Sequence, residues 1–290
     1  MIDFLKKTKE FITNYLHKIL NNLYLVRENQ LRAVQVAQLE AILKDPAVKG
    51  YINEVRHLMS VKDVKGGKFC RIGNQKGSGG YVMLDDIRDK EIFYSFGISA
   101  DVTWDSYPAE LWDKKVFMYD HTIDGLPYQH KNFIWKKEGI CGEDAIGKYK
   151  DLKALSQILK DNGHEHENNM ILKMDVEGAE WDVFSTFAVE ELKRFDQITL
   201  ELHWFWDLNN KDRILKSLEN LNKNHQIVHV HGNSFGVAVP MDGYNMPDII
   251  EATWVRKEGR EFINSKRFFP TELDVNNDVN YKEIIMGYWD

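Results

Sequence analysis

The stretch Asn169-Met170-Ile171-Leu172-Lys173-Met174-Asp175-Val176-Glu177-Gly178-Ala179-Glu180-Trp181 decides the fold class. A short apolar run stops at a carboxylate, a second carboxylate and a glycine follow, and a helical pattern begins. A buried parallel strand delivers an acidic residue to the carboxyl edge of a sheet in this way. In open α/β sheets that edge is where ligands bind. Outward from this stretch, short apolar runs alternate with helix-forming segments. Strands are expected at 92–97, 116–119, 132–135, 170–174, 198–202, 227–230 and 249–255. Helices are expected at 107–112, 145–160, 183–195 and 211–223. Such alternation predicts a mostly parallel sheet covered on both faces. Between the last two strands no helix is evident, and Gly232, Gly236, Pro240, Gly243 and Pro247 predict a long loop, which fits an antiparallel pair without by itself establishing one. Residues 65–80, rich in glycine and polar side chains, read as a loop.

Upstream, Phe4, Leu5, Phe11, Ile12, Tyr15, Leu16, Ile19, Leu20 and Leu23 recur at helical spacing, and the pattern continues less regularly to Ile42. We read residues 1–64 as an N-terminal helical arm and 65–290 as the catalytic domain with its tail. The arm's apolar stripe fits packing on the core or pairing with a second copy as a homodimer. Asn14, His17, Lys18, Asn21 and Asn22 interrupt it, so neither a signal peptide nor a transmembrane segment is expected. The 290 residues are 43% hydrophobic and 29% charged, a globular composition. A net charge of -7 argues against a general nucleic-acid binder, which needs a basic surface for phosphates. Two cysteines, Cys70 and Cys141, offer no disulfide framework, and a cytoplasmic protein is the simplest expectation.

Several residues at strand ends could carry chemistry. Gly97 closes the first strand, where glycine permits a tight turn and close approach to a ligand. The fuller Gly-x-Gly-x-x-Gly pattern is missing, which weakens a dinucleotide reading. Asp120 follows the second strand ~20 residues later, the spacing at which an acidic side chain reaches ribose hydroxyls in this architecture; capping a turn is its alternative. His203 and His231 end successive strands. If these share an edge with Asp175, both imidazoles approach one pocket, where a near-neutral pKa suits removal of a hydroxyl proton. Two histidines and an aspartate also make a divalent-metal set, but no specific metal motif is present, and a metal-free site is expected.

Met174-Asp175-Val176-Glu177-Gly178-Ala179-Glu180-Trp181 resembles the fourth-strand motif of the FkbM-like branch of class I S-adenosylmethionine-dependent methyltransferases. Tyr94-Ser95-Phe96-Gly97-Ile98-Ser99, Asp120-His121 after the second strand, Arg71 and Tyr81 before the first, and Phe269-Pro270-Thr271-Glu272-Leu273-Asp274 near the end are similar to other segments of that family. Ser78 stands where the family usually shows an acidic residue. The resemblance covers about residues 65–280. It implies a Rossmann-like α/β fold, a seven-strand sheet with an antiparallel final hairpin, and S-adenosylmethionine as cofactor. It places Tyr81, Gly97, Ser99, Asp120 and His121 at the cofactor. Asp144, with Glu143 second, would read the adenine; an N-cap for the following helix is the other reading of Asp144. Asp175 would lie beside the cofactor's amino-acid part and the methyl-transfer site.

The reading adopted is an S-adenosylmethionine-dependent O-methyltransferase with Asp175, His203 and His231 as catalytic candidates. Its acceptor would be a small polar molecule, a sugar or sugar nucleotide by the family's habit. An NAD-linked oxidoreductase and a catalytically silent binding module that keeps the fold are the competing readings.

Overall fold

In the computed structural model, which describes residues 23–290, the apolar runs become seven strands of one sheet. They are β1 (Ile92–Phe96), β2 (Lys115–Tyr119), β3 (Phe133–Lys136), β4 (Met170–Met174), β5 (Phe195–Leu202), β6 (His225–Gly232) and β7 (Ile250–Arg256). The strand order is β6-β7-β5-β4-β1-β2-β3. β1 to β5 pair in parallel, and β7 runs antiparallel to both β5 and β6. Every residue of β4 and β5 is buried, as a strand covered on both faces requires. This is the mostly parallel α/β sheet with an antiparallel final pair that the sequence predicts.

Among the described residues seven α-helices flank or precede it: α1 (23–42), α2 (Pro46–Leu58), α3 (Thr103–Leu111), α4 (Leu155–Asp161), α5 (Glu180–Thr186), α6 (Val189–Leu192) and α7 (Lys211–Asn224). Pro46 opens α2 and Asp45 caps it, its carboxylate accepting the Ala47 N–H at 2.8 Å. α7 buries Ile214, Leu218 and Leu221 on one stripe. It is tied to α5 by Ser217 Oγ donating to the Trp181 carbonyl and Asn220 Nδ2 donating to the Phe184 carbonyl, both 2.9 Å. The contacts divide the chain into two units, 1–44 and 45–290. In the first, α1 exposes Leu23, Tyr24, Val26, Leu31 and Val34. The apolar positions expected to form the arm from Phe4 to Leu20 lie outside the described residues.

The structure departs from the sequence reading where local pattern and tertiary pairing disagree. Residues 65–80 are not one loop. Phe69–Gly73 and Gly80–Leu84 form an antiparallel hairpin that sends Ile72, Tyr81 and Met83 into the core. The helix expected over 145–160 is reduced to α4, because Leu152–Ala154 pairs in parallel with Gly139–Cys141. The segment 183–195 holds two short helices, broken where Phe187 turns extended and buries its ring. Between β6 and β7 the expected loop is itself a hairpin, Ala238–Met241 with Tyr244–Pro247. Gly287–Tyr288 and Phe268–Phe269 extend it to four strands.

Candidate functional site

The sheet changes direction of growth between β1 and β4, the kind of switch point where open α/β sheets bind ligands. A cavity of about 600 Å³ opens over that edge, lined by the turns after β1, β2 and β4. Backbone bonds bring the three turns together: Gly97 N–H donates to the Tyr119 carbonyl and Asp175 N–H to the Phe96 carbonyl, each 3.0 Å. Gly97 has φ of +76°, and a Cβ there would lie 1.6 Å from the Asp175 carbonyl oxygen. Only glycine lets the ends of β1 and β4 approach this closely.

Of the residues assigned from sequence, Tyr81, Gly97, Ser99, Asp120, His121 and Asp175 line the cavity. Asp120 is buried, and its four best acceptor positions are occupied. Oδ2 accepts from the Ile98 and Ser99 N–H groups at 2.9 and 2.8 Å; Oδ1 accepts from the Thr122 N–H and hydroxyl at 2.8 and 2.6 Å. Burial alone would raise its pKa, but these bonds, led by the Ser99 N–H, outweigh burial and lower it. A carboxylate offers about four lone-pair sites, so Asp120 in this geometry braces the turns after β1 and β2 and has no free acceptor for a ribose diol.

Two buried charged residues in the lining escaped the sequence reading. Lys173 is a buried lysine in the middle of β4, with Nζ 2.5 Å from the Gly97 carbonyl and 3.8 Å from Asp175 Oδ2. A charge inside an otherwise apolar strand is the signal that marks it, since lysine is rarely buried without a reason. Asp105 on α3 is buried, and its Oδ1 lacks a hydrogen-bond partner. Burial pushes its pKa up to about 6 against the opposing pull of Lys173. No pattern in the sequence distinguishes Asp105 from any carboxylate in a first helical turn.

Three expectations are corrected. Asp144 lies off the cavity: its carboxylate is half-exposed and pairs with Arg213 at 3.2 Å. It caps no long helix, because that helix is absent. His231 is buried between Glu251 and Glu283, 2.9 Å from each, on β6 beyond the reversed strand β7. Burial would lower its pKa, but the two carboxylates push it up to about 10. It stabilises the β6–β7 edge and does not join Asp175. His203 stands next to Asp175 without lining the cavity. Its Nε2 is 3.9 Å from Asp175 Oδ1, 3.6 Å from Glu177 Oε2 and 3.4 Å from Glu201 Oε1, and its Nδ1 is 3.4 Å from Glu180 Oε1. Burial opposes the charge on this ring, yet Glu180 and Glu201 outweigh it and push the pKa up to about 11. A protonated imidazole has no lone pair to take a proton, so His203 is not poised as a general base. Among the three catalytic candidates, Asp175 alone faces the cavity.

The sheet order, the reversed strand and the cavity at the switch point define a class I methyltransferase-like α/β protein. The sequence matches the methyltransferase FkbM domain over residues 50–228. The chain belongs to that family. Among solved structures it is similar to precorrin-6y C5,15-methyltransferase from Geobacter metallireducens GS-15, at 13% identity and a TM-score of 0.30, over 59% of this chain and 84% of that one. No curated protein sequence matches it.

Proposed function

We propose that this methyltransferase uses S-adenosylmethionine to methylate a hydroxyl oxygen of a small sugar-like acceptor. The observation that carries the reading is the charge of the cavity. Asp101, Asp105, Asp120, Asp175 and Glu177 line it against the single basic side chain Lys173. A donor with a sulfonium and an ammonium group suits such a wall, and the pyrophosphate of a dinucleotide does not. The residues also fit the donor's shape. Gly97 leaves backbone bare at the turn, and Ile140 and Leu152 offer an apolar surface beside His121 for a purine. Lys173 suits the donor's carboxylate, and Asp105, with its unpartnered oxygen, its ammonium.

When bound, S-adenosylmethionine supplies a methyl carbon to which the acceptor oxygen bonds as the carbon–sulfur bond breaks and its electron pair stays on sulfur. The protein's own work is positioning, and Asp175 at the cavity mouth takes the hydroxyl proton. Ser78, Ser99, Asp101 and Glu177 in the same wall provide partners for a polyol. The acid-rich wall favours a neutral sugar over a sugar nucleotide. The exposed apolar residues of α1 support self-association through the arm.

Calorimetry tests the donor assignment. S-adenosylhomocysteine should bind at micromolar Kd, about -8 kcal/mol, while NAD should show no heat. Binding of NAD in preference to S-adenosylhomocysteine would overturn the reading. Mass spectrometry of sugar mixtures incubated with the donor then reports the methylated product.

A further inference from the structure

We propose that Asp175, Glu177 and His203 form a divalent-cation site at the mouth of the cavity. One ligand atom from each lies within 4.8 Å of the others. The three side chains are not hydrogen-bonded to one another, and the spacing leaves room for an ion between them. His203 Nε2 stands 3.6 Å from Glu177 Oε2 and 3.9 Å from Asp175 Oδ1, beyond hydrogen-bond range, while Glu201 Oε1 is the nearest carboxylate oxygen to it at 3.4 Å. Nitrogen and oxygen atoms each about 2.1 Å from one metal sit roughly 3.0–3.4 Å apart. Small side-chain movements, chiefly of the exposed Glu177, close the difference.

His203 supplies the independent sign of a ligand. Its side chain is 3% exposed, its Nδ1 lies 3.4 Å from Glu180 Oε1, and a cation at Nε2 would take the place of the proton that the surrounding carboxylates otherwise hold on the ring. That ring is aimed with Nε2 toward the two carboxylates and Nδ1 toward Glu180. Metal-bound histidines usually present their second nitrogen to a carboxylate, which fixes the tautomer and orients the ring. Glu180 is built for that role. It is fully buried, and its two oxygens accept the N–H groups of Val176 and Gly178 at 2.7 and 2.8 Å. The same bonds shape the turn that carries Asp175 and Glu177. Carboxylate oxygens with one imidazole suit Mn²⁺, Mg²⁺ or Zn²⁺, with Mn²⁺ accepting both donor types. Glu177 and Asp175 both line the cavity, so a bound ion faces the acceptor side. There it would polarise the acceptor hydroxyl and make its proton easier to remove. The ion site stands on the side-chain geometry; its role in activating a hydroxyl rests on the methyl-transfer reading.

The test uses the full chain, freed of metal by chelator and titrated with Mn²⁺ while electron paramagnetic resonance reports the free ion. The expected result is one Mn²⁺ per chain, with Kd raised about 10-fold or more by Glu177→Gln and by His203→Gln. Glu177 is exposed, so its variant keeps the fold even where the buried His203 variant does not. S-adenosylhomocysteine binding is measured separately on the same metal-free protein. Absence of Mn²⁺ binding at about 1 mM, or a Kd unmoved by Glu177→Gln, overturns the site whatever S-adenosylhomocysteine does. Mn²⁺ bound at these residues by a chain that ignores S-adenosylhomocysteine upholds the site and removes only its role in methyl transfer.

Discussion

Asp120 shows how a single side chain can brace the wall of a cavity. Its four hydrogen bonds join residues 98 and 99 to residue 122, so the shape of the cavity wall depends on it. Asp120→Asn replaces one acceptor oxygen with a donor amide that faces N–H or O–H groups. The expected result is a lower melting temperature together with S-adenosylhomocysteine affinity weakened by about 1.5–3 kcal/mol, the range for charged hydrogen bonds. Thermal unfolding and calorimetry on the same preparation separate the two roles of this residue. Weakened affinity at an unchanged melting temperature would return Asp120 to direct ribose binding. The sequence exposes Asp120 by its place after a strand, but only the folded turn shows that its lone pairs are taken.

At the scale of an element, β6 buries three histidines, and the two nearest its ends differ in electrostatic character. His225 begins the strand, and its Nε2 donates to the Phe195 carbonyl at 2.9 Å. Burial pushes its pKa down to about 4, so the unfolded chain, at an ordinary value near 6.5, binds a proton that the folded chain refuses. Stability from this group is present above pH ~6.5 and is lost as pH falls toward 4, about 3 kcal/mol in all. His231 at the far end works the other way. Its pKa is raised to about 10 despite burial, because Glu251 and Glu283 flank it. Its contribution is full below pH ~6.5 and is lost as pH climbs toward 10. Denaturant unfolding across pH should therefore show His225→Gln, which keeps a donor for Phe195, with a shallower acid limb than the parent. Equal acid limbs would mean that His225 does not titrate on unfolding. His231 is plain in the sequence as a strand end, whereas His225 falls between the expected helix and the expected strand; their opposite shifts come from neighbours far along the chain.

At the scale of the whole molecule, the central sheet was legible because its strands are short apolar runs that end at chemically distinctive residues. Gly97, Asp120 and Asp175 each follow such a run, and parallel strands with one chain direction put all three at one edge. The small strands at Phe69–Gly73, Gly139–Cys141 and Leu152–Ala154 were not legible, since their partners, not their own pattern, make them strands. Among the described residues no helix is long and apolar enough to cross a membrane. The exposed apolar side chains of α1 are what the proposal of self-association rests on. Removal of residues 1–40 should reduce the subunit count measured by light scattering while leaving S-adenosylhomocysteine binding intact. A truncated chain with the parent's subunit count would show that the arm does not hold copies together.

By itself the sequence determined the run of mostly parallel strands and the residues that end them, because hydrophobic periodicity and strand-end residues are local properties; the antiparallel last pair came from the family resemblance. The sequence also carried the family, through the segment from Met174 to Trp181. The tertiary structure alone decided which polar groups meet. Lys173 and Asp105 enter the cavity from β4 and α3; Asp144 leaves it for Arg213. His231 is separated from Asp175 because β7 inserts between β5 and β6, and His203 is set among four carboxylates from three segments. The charge and hydrogen-bonding capacity of a buried side chain are fixed by the atoms within a few ångströms of it, and those atoms are neighbours in space, not in sequence.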